Sequence, residues 1–76
     1  MITWTKNEDQ RYTRWIATTK DIITCFYIRE NNSNKGVFDV FYSGLSPETE
    51  YYGTFDDISK ARFYVKHLVL AELKEA

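Results

Sequence analysis

The chain is poor in the residues on which small proteins most often build chemistry. Its 76 residues hold one cysteine, Cys25, one histidine, His67, and one proline. A lone cysteine excludes an internal disulfide and reads as a small buried residue in a strand. A catalytic thiol needs a base beside it, and His67 is remote from Cys25 in sequence. One Cys and one His also fall short of a zinc ligand set. No Ser-His-Asp arrangement and no glycine-rich phosphate loop is visible. The expectation is a protein that is not an enzyme, with no catalytic residue, no cofactor and no metal.

Charge of one sign is lacking too. The formal net charge is −1, with 28% of residues charged. Binding nucleic acid through phosphates alone needs clustered Lys and Arg, which that balance does not supply. No apolar run is long enough to cross a bilayer. The first residues, Met-Ile-Thr-Trp-Thr-Lys, carry no apolar signal core. Together these predict an intracellular, cytoplasmic protein with no membrane contact.

Aromatic residues are what the chain has in excess. Two Trp, six Tyr and five Phe make up 17% of it. That exceeds what one small core needs, and Tyr suits surfaces that are part buried and part wet. Seventy-six residues make a single domain. A chain this short buries only about 60% of its unfolded surface.

Strand composition begins at Tyr12-Thr13-Arg14-Trp15-Ile16-Ala17-Thr18-Thr19. Lys20-Asp21 reads as a tight connection. Ile22 to Arg29 is β-branched and aromatic, and Asn31 to Gly36 suits a hairpin tip. Val37 to Tyr42 is a further strand, followed by a loop with the proline. Glu50 to Phe55 is a short strand with a break near Gly53. Ahead of these, residues 1–10 read as a polar arm pinned by Trp4, with Lys6 to Gln10 as turn or loop. Asp57 is a plausible N-cap, with Asp56 beside it at the positive end of a helix that runs to about Lys74. The expected fold is α+β: an antiparallel meander of three or four strands over residues 11–55, with one C-terminal helix, 57–74, packed on one face.

On that helix Ile58, Ala61, Val65, Leu68 and Val69 share one face, which must meet the sheet. Phe63 and Leu70 fall nearly opposite. Two apolar residues in register on an outer face point to a partner or to self-association. Coverage by the N-terminal arm through Trp4 is the alternative.

Strand alternation divides the sheet residues in two. Trp15, Ala17, Phe26, Ile28, Phe38 and Val40 form the expected core face. Arg14, Ile16, Cys25, Tyr27, Arg29, Asp39 and Phe41 form the other, and no helix is left to cover it. A slip of one residue in the first of these strands would exchange its two faces. Aromatics mixed with Arg resemble the centre of a protein interface. They equally resemble a stacking platform for single-stranded nucleic acid. The strand Gly36-Val37-Phe38-Asp39-Val40-Phe41-Tyr42 lacks the basic residue and paired glycines of the RNA-recognition sheet motif. The bland reading is a one-sided sheet stabilised by cross-strand pairs. The candidate contact residues are therefore Arg14, Tyr27, Arg29 and Phe41 on the sheet, with Phe63 and Leu70 on the helix. A homodimer through either surface would add buried area to a short chain.

Glu48, Glu50, Asp56 and Asp57 cluster in sequence. Such carboxylates could mimic DNA phosphates or ligate Mg²⁺ or Ca²⁺, but their spacing matches no calcium loop and they read as solvated loop plus cap.

The stretch Gly53-Thr54-Phe55-Asp56-Asp57-Ile58-Ser59-Lys60-Ala61-Arg62 resembles the strand-cap-helix junction of small phage-encoded β-β-β-α proteins. Tyr12, Trp15 and Ala17, and then Gly36 to Tyr42, fit the same outline. The resemblance implies a small binder that disables a host defence or nucleic-acid-processing protein in the host cytoplasm. It supplies no site residues.

Overall fold

A computed structural model describes residues 2–19, 22–43 and 49–75, with side chains over 2–19, 26–43 and 49–71. The elements run β1 (Thr3–Glu8), β2 (Tyr12–Thr19), β3 (Ile22–Asn31), β4 (Phe38–Tyr42), β5 (Glu50–Phe55) and α1 (Ile58–Glu75). The five strands form one sheet in the order β1-β2-β3-β4-β5, every pair antiparallel. The helix lies over β3, β4 and β5. The architecture is α+β with a helix on one sheet face, as the sequence predicts, but with five strands rather than three or four.

The extra strand is β1, where a polar arm is expected. Thr3 to Glu8 pairs in register with β2 from Thr18 to Thr13. The turn is shorter than Lys6 to Gln10 and centres on Asp9-Gln10-Arg11. Asp9 Oδ1 accepts the N–H groups of Arg11 and Tyr12, each at 2.8 Å, and Asp9 N–H bonds to the Tyr12 carbonyl. This is the Asx geometry that lets a short polar side chain stand in for backbone. β1 reads as polar because it is an edge strand whose side chains stay mostly wet. β3 runs on to Asn31, past the expected end at Arg29. The second turn then closes through Asn31 Oδ1 accepting from Ser33 N–H and Glu30 Oε2 accepting from Gly36 N–H. Gly36 sits at φ +89°, a conformation that costs a residue with a Cβ. Asn32 ties the two turns together: it donates to the Asp9 carbonyl and accepts from buried Thr13. The expected connection at Lys20-Asp21 and the proline loop over 44–48 lie outside the described residues.

The core is Ala17, Phe26, Ile28, Val40, Ala61, Val65 and Val69. Trp15 and Phe38 are half-buried around it and meet edge to face, ring centres 5.8 Å apart. The expected sheet face is therefore the core face, and the pairing of Trp15 with Ile28 fixes the register of β2. On the helix, Ala61, Val65 and Val69 bury fully, with Ile58 and Leu68 beside them. Asp57 caps the helix, accepting the Ser59 N–H at 2.7 Å. Asp56 accepts from Lys60, which lowers its pKa by hydrogen bond and charge. No described helix is long and apolar enough to cross a membrane.

Candidate functional site: the open sheet face

Two adjacent rows of side chains cross the sheet face opposite the helix. Cross-strand pairing sets Arg14 against Arg29, Arg29 against Asp39, and Asp39 against Thr54. The next row sets Ile16 against Tyr27, Tyr27 against Phe41, and Phe41 against Tyr51. Antiparallel partners point to the same face, so one row is polar and one is aromatic.

The aromatic row is continuous. Tyr27 and Phe41 stack at 5.4 Å with planes 21° apart, and Phe41 meets Tyr51 at 5.6 Å. Tyr27 and Phe41 are half-buried by this mutual contact. Tyr51, at the row's end, is 59% exposed.

In the polar row, Arg14 and Arg29 are like charges placed side by side, which is unfavourable by itself. Two features relieve it. Arg14 Nη1 pairs with Asp9 Oδ2 at 2.8 Å. Tyr12 presents its ring to both, with guanidinium carbons 5.3 Å (Arg14) and 4.4 Å (Arg29) from the ring centre. Arg29 also lies 4.5 Å from the Phe41 ring centre. Its guanidinium is thus held between two rings with no ion-pair or hydrogen-bond partner among the described residues. Asp39 does not take it: Asp39 Oδ1 accepts from Thr54 at 2.6 Å, and Thr54 in turn bonds to the Tyr51 hydroxyl. Asp9 is held at a pKa of about 2, below its ordinary 3.8, by the Tyr12 N–H first, then the Arg14 guanidinium and the Arg11 N–H.

Four of the expected contact residues, Arg14, Tyr27, Arg29 and Phe41, therefore meet on one surface. Three residues of the same surface were not anticipated. Tyr12 was legible two positions before Arg14. Tyr51 and Thr54 were not, because β5 carries a bulge. Val40 pairs with Gly53 and Phe41 with Tyr51, so Tyr52 is extra. Gly53, at φ +150°, permits the kink. The bulge reverses alternation: Tyr51 joins the open face while Tyr52 turns to Phe26 on the core side, ring centres 5.7 Å apart. The Cys25 side chain lies outside the described residues.

Phe63 and Leu70 belong to a separate surface. They are 63% and 44% exposed, so the N-terminal segment does not cover them. They line a groove of about 550 Å³ together with Ile2, Trp4, Arg62 and Lys66. Phe63 also contacts His67 edge to face at 4.4 Å.

Among the described residues no group of three His, Cys, Asp or Glu is placed to hold a metal ion. Glu50 accepts from Tyr52, Asp57 caps the helix and Asp56 pairs with Lys60, while Glu48 lies outside the described residues. No family model, curated protein or solved structure matches the chain.

Proposed function

We propose that the chain is a non-enzymatic protein-binding module that uses its open sheet face as the contact surface. One observation carries this reading. Arg29, with no ion-pair partner among the described residues, lies between the Tyr12 and Phe41 rings, beside a continuous aromatic row. Aromatic residues and Arg dominate binding energy when they cluster near the centre of an interface. The rings hold the guanidinium in place before a partner arrives, which lowers the ordering cost of association. With the resemblance noted above, the partner class is a host protein of defence or nucleic-acid processing. The protein is then phage-encoded and acts in the host cytoplasm.

A single-stranded nucleic acid is the second reading, favoured by the Tyr27–Phe41–Tyr51 row as a stacking surface. The charge on the same face opposes it. Arg14 is neutralised by Asp9, and Asp39 lies in the polar row, leaving Arg29 to meet phosphates.

The test is affinity capture from host lysate with the wild-type chain and with Arg29→Ala, Phe41→Ala and Lys60→Ala variants. Capture of one protein, weakened at least tenfold by the first two changes and not by the third, supports the module. Equal capture by all four chains sinks it. Oligonucleotide binding at low salt that is lost on Phe41→Ala would transfer the face to nucleic acid.

A further inference from the structure

The sheet has two edges, and they differ. At one, β5 is kinked by the bulge at Tyr52 and Gly53, which interrupts regular pairing. At the other, β1 runs Thr3 to Glu8 with no glycine, proline or bulge, and among the described residues only its β2 side is paired. An unbroken free edge offers a row of main-chain donors and acceptors to another strand. Ile2 and Trp4 of this segment also form the floor of the groove whose wall is the α1 flank: Arg62, Phe63, Lys66 and Leu70.

Among the described residues the charges on that wall have no carboxylate partner. Arg62 lies over the Trp4 ring, 5.7 Å from its centre, and among the described residues neither Arg62 nor Lys66 has a carboxylate in ion-pair range. Helical neighbours explain this: three and four residues from Arg62 and Lys66 lie Ile58, Ser59, Phe63, Val65, Val69 and Leu70 or each other, none of them acidic. Among the described residues the groove therefore joins an apolar floor, two cations without a carboxylate partner and an edge strand paired on one side.

We infer that the β1 edge and the α1 flank together accept an extended segment of a partner protein that alternates acidic and apolar residues on one face. The segment adds to β1 as a sixth strand, about 4.8 Å away. Its helix-side residues lie over the groove mouth, where carboxylates meet Arg62 and Lys66 and an apolar side chain rests on Trp4. Its other face lines up with Thr3, Thr5 and Asn7, which are small and polar and set little restriction. A second copy of this chain is disfavoured as occupant. Its own β1 presents Lys6 and Glu8 on the helix side as an ion pair, 2.9 Å apart, and so brings no net negative charge to the two cations. This surface is on the opposite side of the sheet from Arg29 and does not depend on the open face.

The test uses three synthetic peptides against the full chain, read by amide NMR shifts and binding isotherms. The probe is acetyl-Thr-Glu-Thr-Leu-Thr-Glu-Thr-amide. The second peptide replaces Glu by Lys, and the third is the probe N-methylated at every residue. Shifts in Thr3 to Glu8 and the Trp4 indole, at least tenfold tighter binding of the acidic peptide, and loss of binding on N-methylation are expected. In an Arg62→Glu, Lys66→Glu double variant, whose exposed positions leave the core intact, the preference should switch to the Lys peptide. Absence of β1 shifts at millimolar peptide, equal affinity for both charges, or shifts confined to Tyr27 and Phe41 would each overturn the inference. So would a concentration-dependent dimer that already occupies the β1 edge.

Discussion

Tyr27 of β3 and Phe41 of β4 stack face to face across one cross-strand pair, with ring centres 5.4 Å apart. The contact is made on the sheet face that α1 leaves open. Part of the aromatic excess is thus used to stabilise the surface that it forms. A double-mutant cycle of Tyr27→Ala and Phe41→Ala should give a coupling of about 0.5–1 kcal/mol in unfolding free energy. A coupling near zero would mean that the rings do not stack in solution.

Burial separates the two kinds of apolar residue on this chain. Ile28 is fully buried between sheet and helix, whereas Phe63 is 63% exposed. Ile28→Ala should cost about 2–5 kcal/mol, enough to unfold a large share of so short a domain, and Ile28→Val about 0.5–1.5 kcal/mol. Phe63→Ala should change stability by no more than about 0.5 kcal/mol. Urea denaturation of the three variants checks the order. A Phe63→Ala loss as large as that of Ile28→Ala would place Phe63 in a covered site.

The Asp9 turn gives stability a pH dependence of known sign. Its folded pKa, about 2, is below the ordinary 3.8. The unfolded chain therefore binds the proton first as pH falls. The stabilisation is fully present above the unfolded pKa and is lost as pH drops from there through the folded value. Thermal melts of wild type and Asp9→Asn should diverge at neutral pH and converge toward about pH 2. Parallel curves across that range would remove Asp9 from the account.

Gly53 governs which tyrosine the open face displays. A Cβ at this position meets only Phe55 Cε2, at 3.8 Å, so the obstacle to substitution is the backbone at φ +150°. Gly53→Ala should cost about 1–3 kcal/mol. It should also disturb the bulge, so that nuclear Overhauser contacts between the Phe41 and Tyr51 rings weaken. Retention of those contacts at full stability would show that the bulge does not need glycine.

What could be read ahead of the structure followed the strength of local patterns. β2 and β5 have the bounds that their β-branched and aromatic residues predict, and the stripe of Ala61, Val65 and Val69 is the face that buries. β1 escaped because an edge strand with wet faces has no alternation to reveal it. Lys6, Asn7 and Glu8 look like a loop until Trp15 and Arg14 stand opposite. Tyr51 escaped for another reason: simple alternation places it on Gly53's face, and the extra residue reverses that. The exposure of Phe63 and Leu70 was legible from helical spacing. The groove beside them was not, since it needs Trp4 and Arg62 from opposite ends of the chain.

Each strand of the sheet pairs with its immediate neighbour in the chain. The loops that must close during folding are therefore short, and lengthening a loop adds entropy only slowly. Slow folding of sheet proteins comes from pairing segments distant in sequence. Here the hairpins can form one after another, and the longest-range event is the docking of α1, which packs back onto β3 and brings Arg62 over Trp4 of β1. A five-stranded sheet built this way should refold fast for its class, with little time spent exposing strands that could pair with the wrong chain.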